Sequence, residues 1–75
     1  MIDVYIKGYF GNCKEVLEKM DEAKISYNVK IIGDDISEPL FMAKDEDIQY
    51  YSCPWIFEND VYVGPSSMYL LKMGI

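Results

Sequence analysis

Seventy-five residues, 51% apolar and 27% charged, with seven Tyr, three Phe and one Trp, specify one soluble globular domain near the lower size limit for a single unstapled core. Seven Lys, no Arg and thirteen acids leave a net charge of −6, which argues against a nucleic-acid partner because phosphate binding needs clustered Lys and Arg. Two cysteines and no histidine exclude a Cys/His zinc centre and a multi-bridge disulfide framework, so no metal site is expected.

At the N-terminus, Ile2, Val4 and Ile6 alternate with polar and aromatic residues and predict a strand. Gly8 and Gly11 bracket a turn. From Asn12 to about Lys24, Cys13, Val16, Leu17, Met20 and Ala23 recur at spacings of three and four, the pattern of a helix with one face packed on a sheet. Asn12 followed by Glu15 has the form of a capping box, and a slightly earlier helix start, near Phe10, stays open. Ser26 to Ile32 alternates through Tyr27, Val29 and Ile31, a second strand that the helix allows to pair in parallel with the first.

Gly33-Asp34-Asp35 ends that strand, and Ser37 is placed to cap a short helix with Pro39 in its first turn and Leu40, Phe41 and Ile48 facing inward. Pro54 to Glu58 and Val61 to Val63 predict a hairpin around Asn59-Asp60, two residues that tolerate positive φ. After Gly64-Pro65, Ser66 or Ser67 caps a last helix carrying Met68, Tyr69, Leu70, Leu71 and Met73 and stopped at Gly74. The order is βαβαββα in a single domain, residues 1–75. No apolar run is long enough to cross a membrane, and Asp3 with no basic segment before an apolar stretch is unlike a signal peptide, so a cytoplasmic location is expected. The acids cluster at Asp34, Asp35 and Glu38 and at Asp45, Glu46 and Asp47, either as a solvated face or as a docking surface for a basic partner.

Two separated stretches carry more specific information. Tyr9-Phe10-Gly11-Asn12-Cys13-Lys14 opens the first helix, and Ser52-Cys53-Pro54-Trp55-Ile56-Phe57 opens the hairpin that closes on Gly64. In these stretches the chain resembles a glutaredoxin. Phe10-Gly11-Asn12-Cys13 lies over the family's C-P-Y-C segment, Pro54 over the proline of T-V-P, and Gly64-Pro65-Ser66-Ser67 over G-G-S-D. The resemblance covers about two thirds of the chain and leaves the middle unaligned. It implies a thioredoxin-like α/β fold, a four-stranded mixed sheet with helices on its faces and a cis peptide before Pro54.

It also implies a ligand site. Lys7 would face the glycine carboxylate of glutathione, Cys53 would pair with the backbone of its cysteine, and Ser66 and Ser67 would sit near its γ-glutamyl end, with Tyr9, Phe10, Asn12, Pro54 and Gly64 as further ligand-binding positions. Glutathione is thus the one small ligand the resemblance suggests, and no cofactor is otherwise required. Asn12, Pro65 and Ser67 stand where the family has Tyr, Gly and Asp. Most consequentially, Phe10 stands where the family has its nucleophilic cysteine, and Phe cannot form a mixed disulfide.

The leading expectation is a glutaredoxin-like protein with a degenerate F-G-N-C site that binds a protein partner or thiol ligand and has little dithiol oxidoreductase activity. The alternative is a thiol-disulfide oxidoreductase that uses Cys13 as a monothiol, activated if Asn12 is the helix cap, or Cys13 and Cys53 as a pair. A third reading takes Trp55, Tyr62 and Tyr69 as an association surface in a structural subunit. A Lys-only basic set with many Ile, Tyr, Asn and Asp also fits the AT-rich coding of phages and viruses, for which the location would be the host cytoplasm.

Overall fold

The computed structural model describes residues 1–74, an α/β domain built on one four-stranded mixed sheet. The elements are β1 (Ile2–Ile6), α1 (Gly11–Glu22), β2 (Asn28–Ile31), α2 (Glu38–Met42), a 3₁₀ turn (Glu46–Tyr50), β3 (Trp55–Glu58), β4 (Val61–Pro65) and α3 (Ser66–Lys72). Strand order is β2-β1-β3-β4. β1 pairs in parallel with β2, from Asp3 opposite Asn28 to Ile6 opposite Ile31, and antiparallel with β3, where Val4 faces Ile56. The parallel pair is possible because α1 supplies the crossover. β3 and β4 form the hairpin, and Asn59 and Asp60 both take positive φ, 52° and 66°, as a two-residue turn that matches strand twist requires.

Because side chains alternate along a strand, the sheet has two apolar faces. On one, Val4, Ile6 and Ile56 pack with Cys13, Val16, Leu17 and Met20 of α1 and with Tyr69 and Leu70 of α3. On the other, Tyr5, Trp55 and Phe57 pack with Phe41 of α2 and Ile48 of the 3₁₀ turn. A buried hydrogen bond from Trp55 Nε1 to the Ile48 carbonyl, 3.2 Å, ties that turn to β3. The second layer therefore hangs on a five-residue helix and one turn. Among the described residues no helix is long and apolar enough to cross a membrane.

Several local expectations are corrected. Leu40 does not face inward but is 66% exposed, since a helix of one turn can bury only one side and Phe41 takes it. Ser37 is the N-cap of α2 by position but its hydroxyl makes no capping bond, and α3 is capped by Pro65, with Ser66 as its first helical residue, buried. Met68, Leu71 and Met73 point outward. Trp55 and Tyr69 are core residues, 5% and 2% exposed, so they provide no association surface. The acidic clusters have partly local roles: Asp45 Oδ1 accepts from the Asp47 amide and caps the 3₁₀ turn, and Asp35 Oδ2 accepts from the Ile31 amide at 2.7 Å.

Candidate functional site

The chain enters α1 through Phe10, which is extended and caps the helix by position with no side-chain bond. Gly11 follows at φ +56°. That left-handed value suits glycine and is closed to proline, whose ring holds φ near −65°. The sharp bend throws Phe10 outward, 68% exposed, and its ring folds back over Gly8, where an added Cβ would overlap it. Gly8→Ala should therefore swing the exposed ring away at a cost of under about 1 kcal/mol, a displacement readable as changed aromatic shifts in NMR.

Asn12 is not the cap. It lies inside α1, and its side-chain amide instead donates to the Cys53 carbonyl at 3.3 Å, joining the first turn of α1 to the segment before Pro54. The Cys53–Pro54 peptide is cis. Asn12 also lines a cleft of about 230 Å³ between α1 and α3, with Tyr51, Ser52, Ser66 and Ser67 among its walls. Lys7 belongs to a second cleft of about 160 Å³ that Tyr51 also lines, walled by Trp55, Phe41 and Gln49, and its ammonium stands 5.8 Å from the Trp55 ring centroid. Asn12 thus shares a cleft with Ser66 and Ser67 and bonds to Cys53, whereas Lys7 lines the other cleft, and Tyr51 borders both. Gly64, at φ +97°, turns the chain into Pro65 and α3. Tyr9 and Phe10 project beside the start of α1, 60% and 68% exposed.

Tyr51 and Ser52 were not anticipated. Their only sequence signal is position, directly before Cys53-Pro54, together with the adjacent pair Tyr50-Tyr51. Both tyrosines are exposed, 73% and 43%, so the end of the sheet where α1 starts presents four aromatic rings to solvent.

Cys13 is fully buried in the α1 face of the core, with Cys53 packed against the same cluster, and both thiols are free. Burial, with the neighbouring Cys53 side chain adding to it, pushes the Cys13 thiol up from 9.0 to about 12, outweighing the Lys7 and Gly8 backbone groups that act in the opposite direction. Such burial disfavours the thiolate near neutral pH, and with Phe10 rather than Asn12 at the cap position the activation expected of an Asn12 cap does not arise. Alkylation should label half-buried Cys53 first and leave Cys13 intact until the protein unfolds.

The same shift has a linkage consequence. A folded-state pKa raised from 9.0 to about 12 contributes stability that is complete below pH 9 and is lost as pH rises through that window. Tyr27 and Tyr62, both raised by burial from 10.0 to about 12, act with the same sign. Denaturant midpoints should fall steadily above pH 9, and less steeply in Cys13→Ala; equal slopes would show that the thiol does not carry its share.

Among the described residues no group of three or more His, Cys, Asp or Glu side chains is arranged to hold a metal ion. No protein-family model, curated protein or solved structure matches this chain.

Proposed function

We propose that this chain is a glutaredoxin-like domain of thioredoxin-like fold that works by binding, holding a thiol-bearing ligand or protein segment against Tyr9, Phe10, Asn12, Tyr51 and Cys53, with little dithiol exchange. One observation carries this reading. At the start of α1 the outward position is an exposed Phe and the inward position a buried cysteine whose thiol titrates near pH 12, so the reactive group is absent while the surface around it remains open. The element order, the mixed four-stranded sheet and the cis peptide before Pro54 support the scaffold part of the proposal.

Exposed Tyr, Phe and Asn around a pre-shaped edge suit recognition, because aromatic anchors supply contact area with little side-chain entropy to lose. The aromatic surface and the acidic excess together favour a protein segment over free glutathione, whose two carboxylates meet only Lys7 and Lys19 in the adjoining clefts. The test is turnover of a glutathione mixed disulfide by wild type, Cys13→Ser and Cys53→Ser near neutral pH, alongside an NMR titration with a cysteine-containing peptide. Near-zero turnover in all three proteins, with shifts at Asn12, Tyr51 and Cys53, is the expected result. Family-like turnover abolished by Cys13→Ser would sink the proposal.

A second reading is favoured by the packing of Cys53 against the cluster that holds Cys13. In it the two thiols cycle as a pair, each losing its proton and one electron to a glutathione disulfide, which is reduced to two glutathione thiols. Loss of turnover in both single mutants would select that reading, since two residues acting as a unit are each indispensable.

A further inference from the structure

The two cysteines are distant in the chain and adjacent in the fold. Cys13, fully buried in the first turn of α1, and Cys53, partly exposed just before Pro54, pack in the same apolar cluster, and both thiols are free. Beside them the Asn12 amide donates to the Cys53 carbonyl at 3.3 Å, so the start of α1 and the segment before Pro54 are already held together. The Cys53 side chain lies close enough to the Cys13 sulfur to shift its titration.

Access to the pair is one-sided. Cys13 has no exposed surface, the backbone of Lys7 and Gly8 faces its thiol, and the Phe10 ring folds over Gly8. Of the two cysteines only Cys53 reaches solvent, and then only in part, an arrangement that favours a small oxidant over a bulky disulfide.

We infer that Cys13 and Cys53 form an internal disulfide when the protein meets a peroxide, and that this bond locks the start of α1 onto the segment before Pro54. The Cys53 sulfur attacks the peroxide: an S–O bond forms, the O–O bond breaks, and with the thiol proton one water leaves. The Cys13 sulfur then attacks the resulting sulfenic acid. The S–S bond forms, the S–O bond breaks, and the Cys13 proton departs with hydroxide as a second water, so two thiols lose two electrons and one peroxide gains them. Burial keeps the Cys13 thiolate scarce, but a sulfur held beside its target gains in effective concentration what it lacks in ionisation. Unlike a catalytic cycle, this oxidation is stoichiometric. Its consequence for function rests on the binding reading: Cys53 belongs to the surface proposed to hold a ligand, so the bond makes that surface redox-sensitive.

The experiment treats the reduced full chain with hydrogen peroxide, then alkylates it under denaturing conditions and maps its peptides without reduction. A linked Cys13–Cys53 peptide pair is expected, with both alkylatable thiols lost together. Because the bond closes a long loop, Tm should rise by about 10–20 °C and fall back with dithiothreitol. Cys13→Ala should instead stop at a Cys53 sulfenic acid that dimedone traps. Thiols that stay free, a persistent Cys53 sulfenic acid in wild type, bridges only between molecules, or a linked pair with unchanged Tm would overturn the inference; all four are read on wild type and stand even if the variant does not fold. Binding of a peptide whose cysteine is S-methylated, and so unable to exchange, should weaken roughly three- to tenfold on oxidation, about the worth of one hydrogen bond. Equal binding by the two forms would overturn the redox sensitivity, whereas no binding to either form, with the linked pair present, would strike the binding reading and leave the disulfide standing.

Discussion

Phe10→Cys should turn this protein into a measurable thiol-disulfide exchanger, raising turnover of a glutathione mixed disulfide by about 10²- to 10³-fold over wild type. The magnitude follows from where the sulfur would sit. Wild type offers a fully buried Cys13 thiol that titrates near pH 12, hence about one thiolate in 10⁵ at pH 7. A thiol at position 10 would be exposed at the N-terminus of a twelve-residue helix, an environment that brings thiol pKa values down to about 7 or lower. The thiolate fraction then rises by nearly 10⁵, while intrinsic nucleophilicity, which falls with basicity at a Brønsted slope of about 0.4–0.5, returns roughly 10² of that gain. Cys13, two residues inside the helix, would serve as resolving thiol. The kinetic assay should be run with Phe10→Cys and with Phe10→Cys/Cys13→Ser, so that monothiol and dithiol routes separate. No gain in either variant would mean that the left-handed bend at Gly11 carries the new thiol away from the helix amides, and that the scaffold no longer supports the chemistry even when the nucleophile is restored.

That bend marks where the sequence stopped being informative. The period-two runs of β1 and β2, the three-four spacing of α1 and the Asn59-Asp60 turn are local signals, and each appears in the fold close to its expected place. The site is different in kind. Asn12 followed by Glu15 reads locally as a capping box, yet the Asn12 amide is drawn to the Cys53 carbonyl, a partner 41 positions away that no window of sequence contains. Tyr51 and Ser52 gain importance only because the α1–α3 cleft forms beside them. Cys13 was open to two readings, packed residue or nucleophile, and its zero exposure places it in the core, which favours packing. Trp55 and Tyr69 misled for a related reason: aromatic residues rank high both in cores and at interfaces, and only the layer stacked on each strand face distinguishes the two.

Phe41→Ala should have the largest effect on stability of any single change, a loss of about 3–5 kcal/mol. A domain of this size is held by about 4–11 kcal/mol at the usual 0.05–0.15 per residue, so the variant would stand at or near its unfolding threshold at 25 °C. Phe41 is 1% exposed and sits at the centre of an aromatic cluster, with ring centroids 5.0 Å from Tyr5, 5.1 Å from Trp55 and 6.4 Å from Phe57. It is also the only buried residue of α2, a helix too short to persist without tertiary packing. Truncation would open a cavity and at the same time release α2, leaving the 3₁₀ turn attached through Ile48 and the Trp55 indole bond alone. Wall residues of the Lys7 cleft would go with it, since Phe41 and Met42 line that cleft. Urea denaturation followed by far-UV circular dichroism and by Trp55 fluorescence is the check. The fluorescence transition should move to lower urea by an amount matching the lost free energy, and amide exchange should show the β1–α1 layer retaining protection longer than α2. A loss below about 1 kcal/mol would mean that the second layer contributes little to the fold and that the sheet stands on α1 and α3 alone.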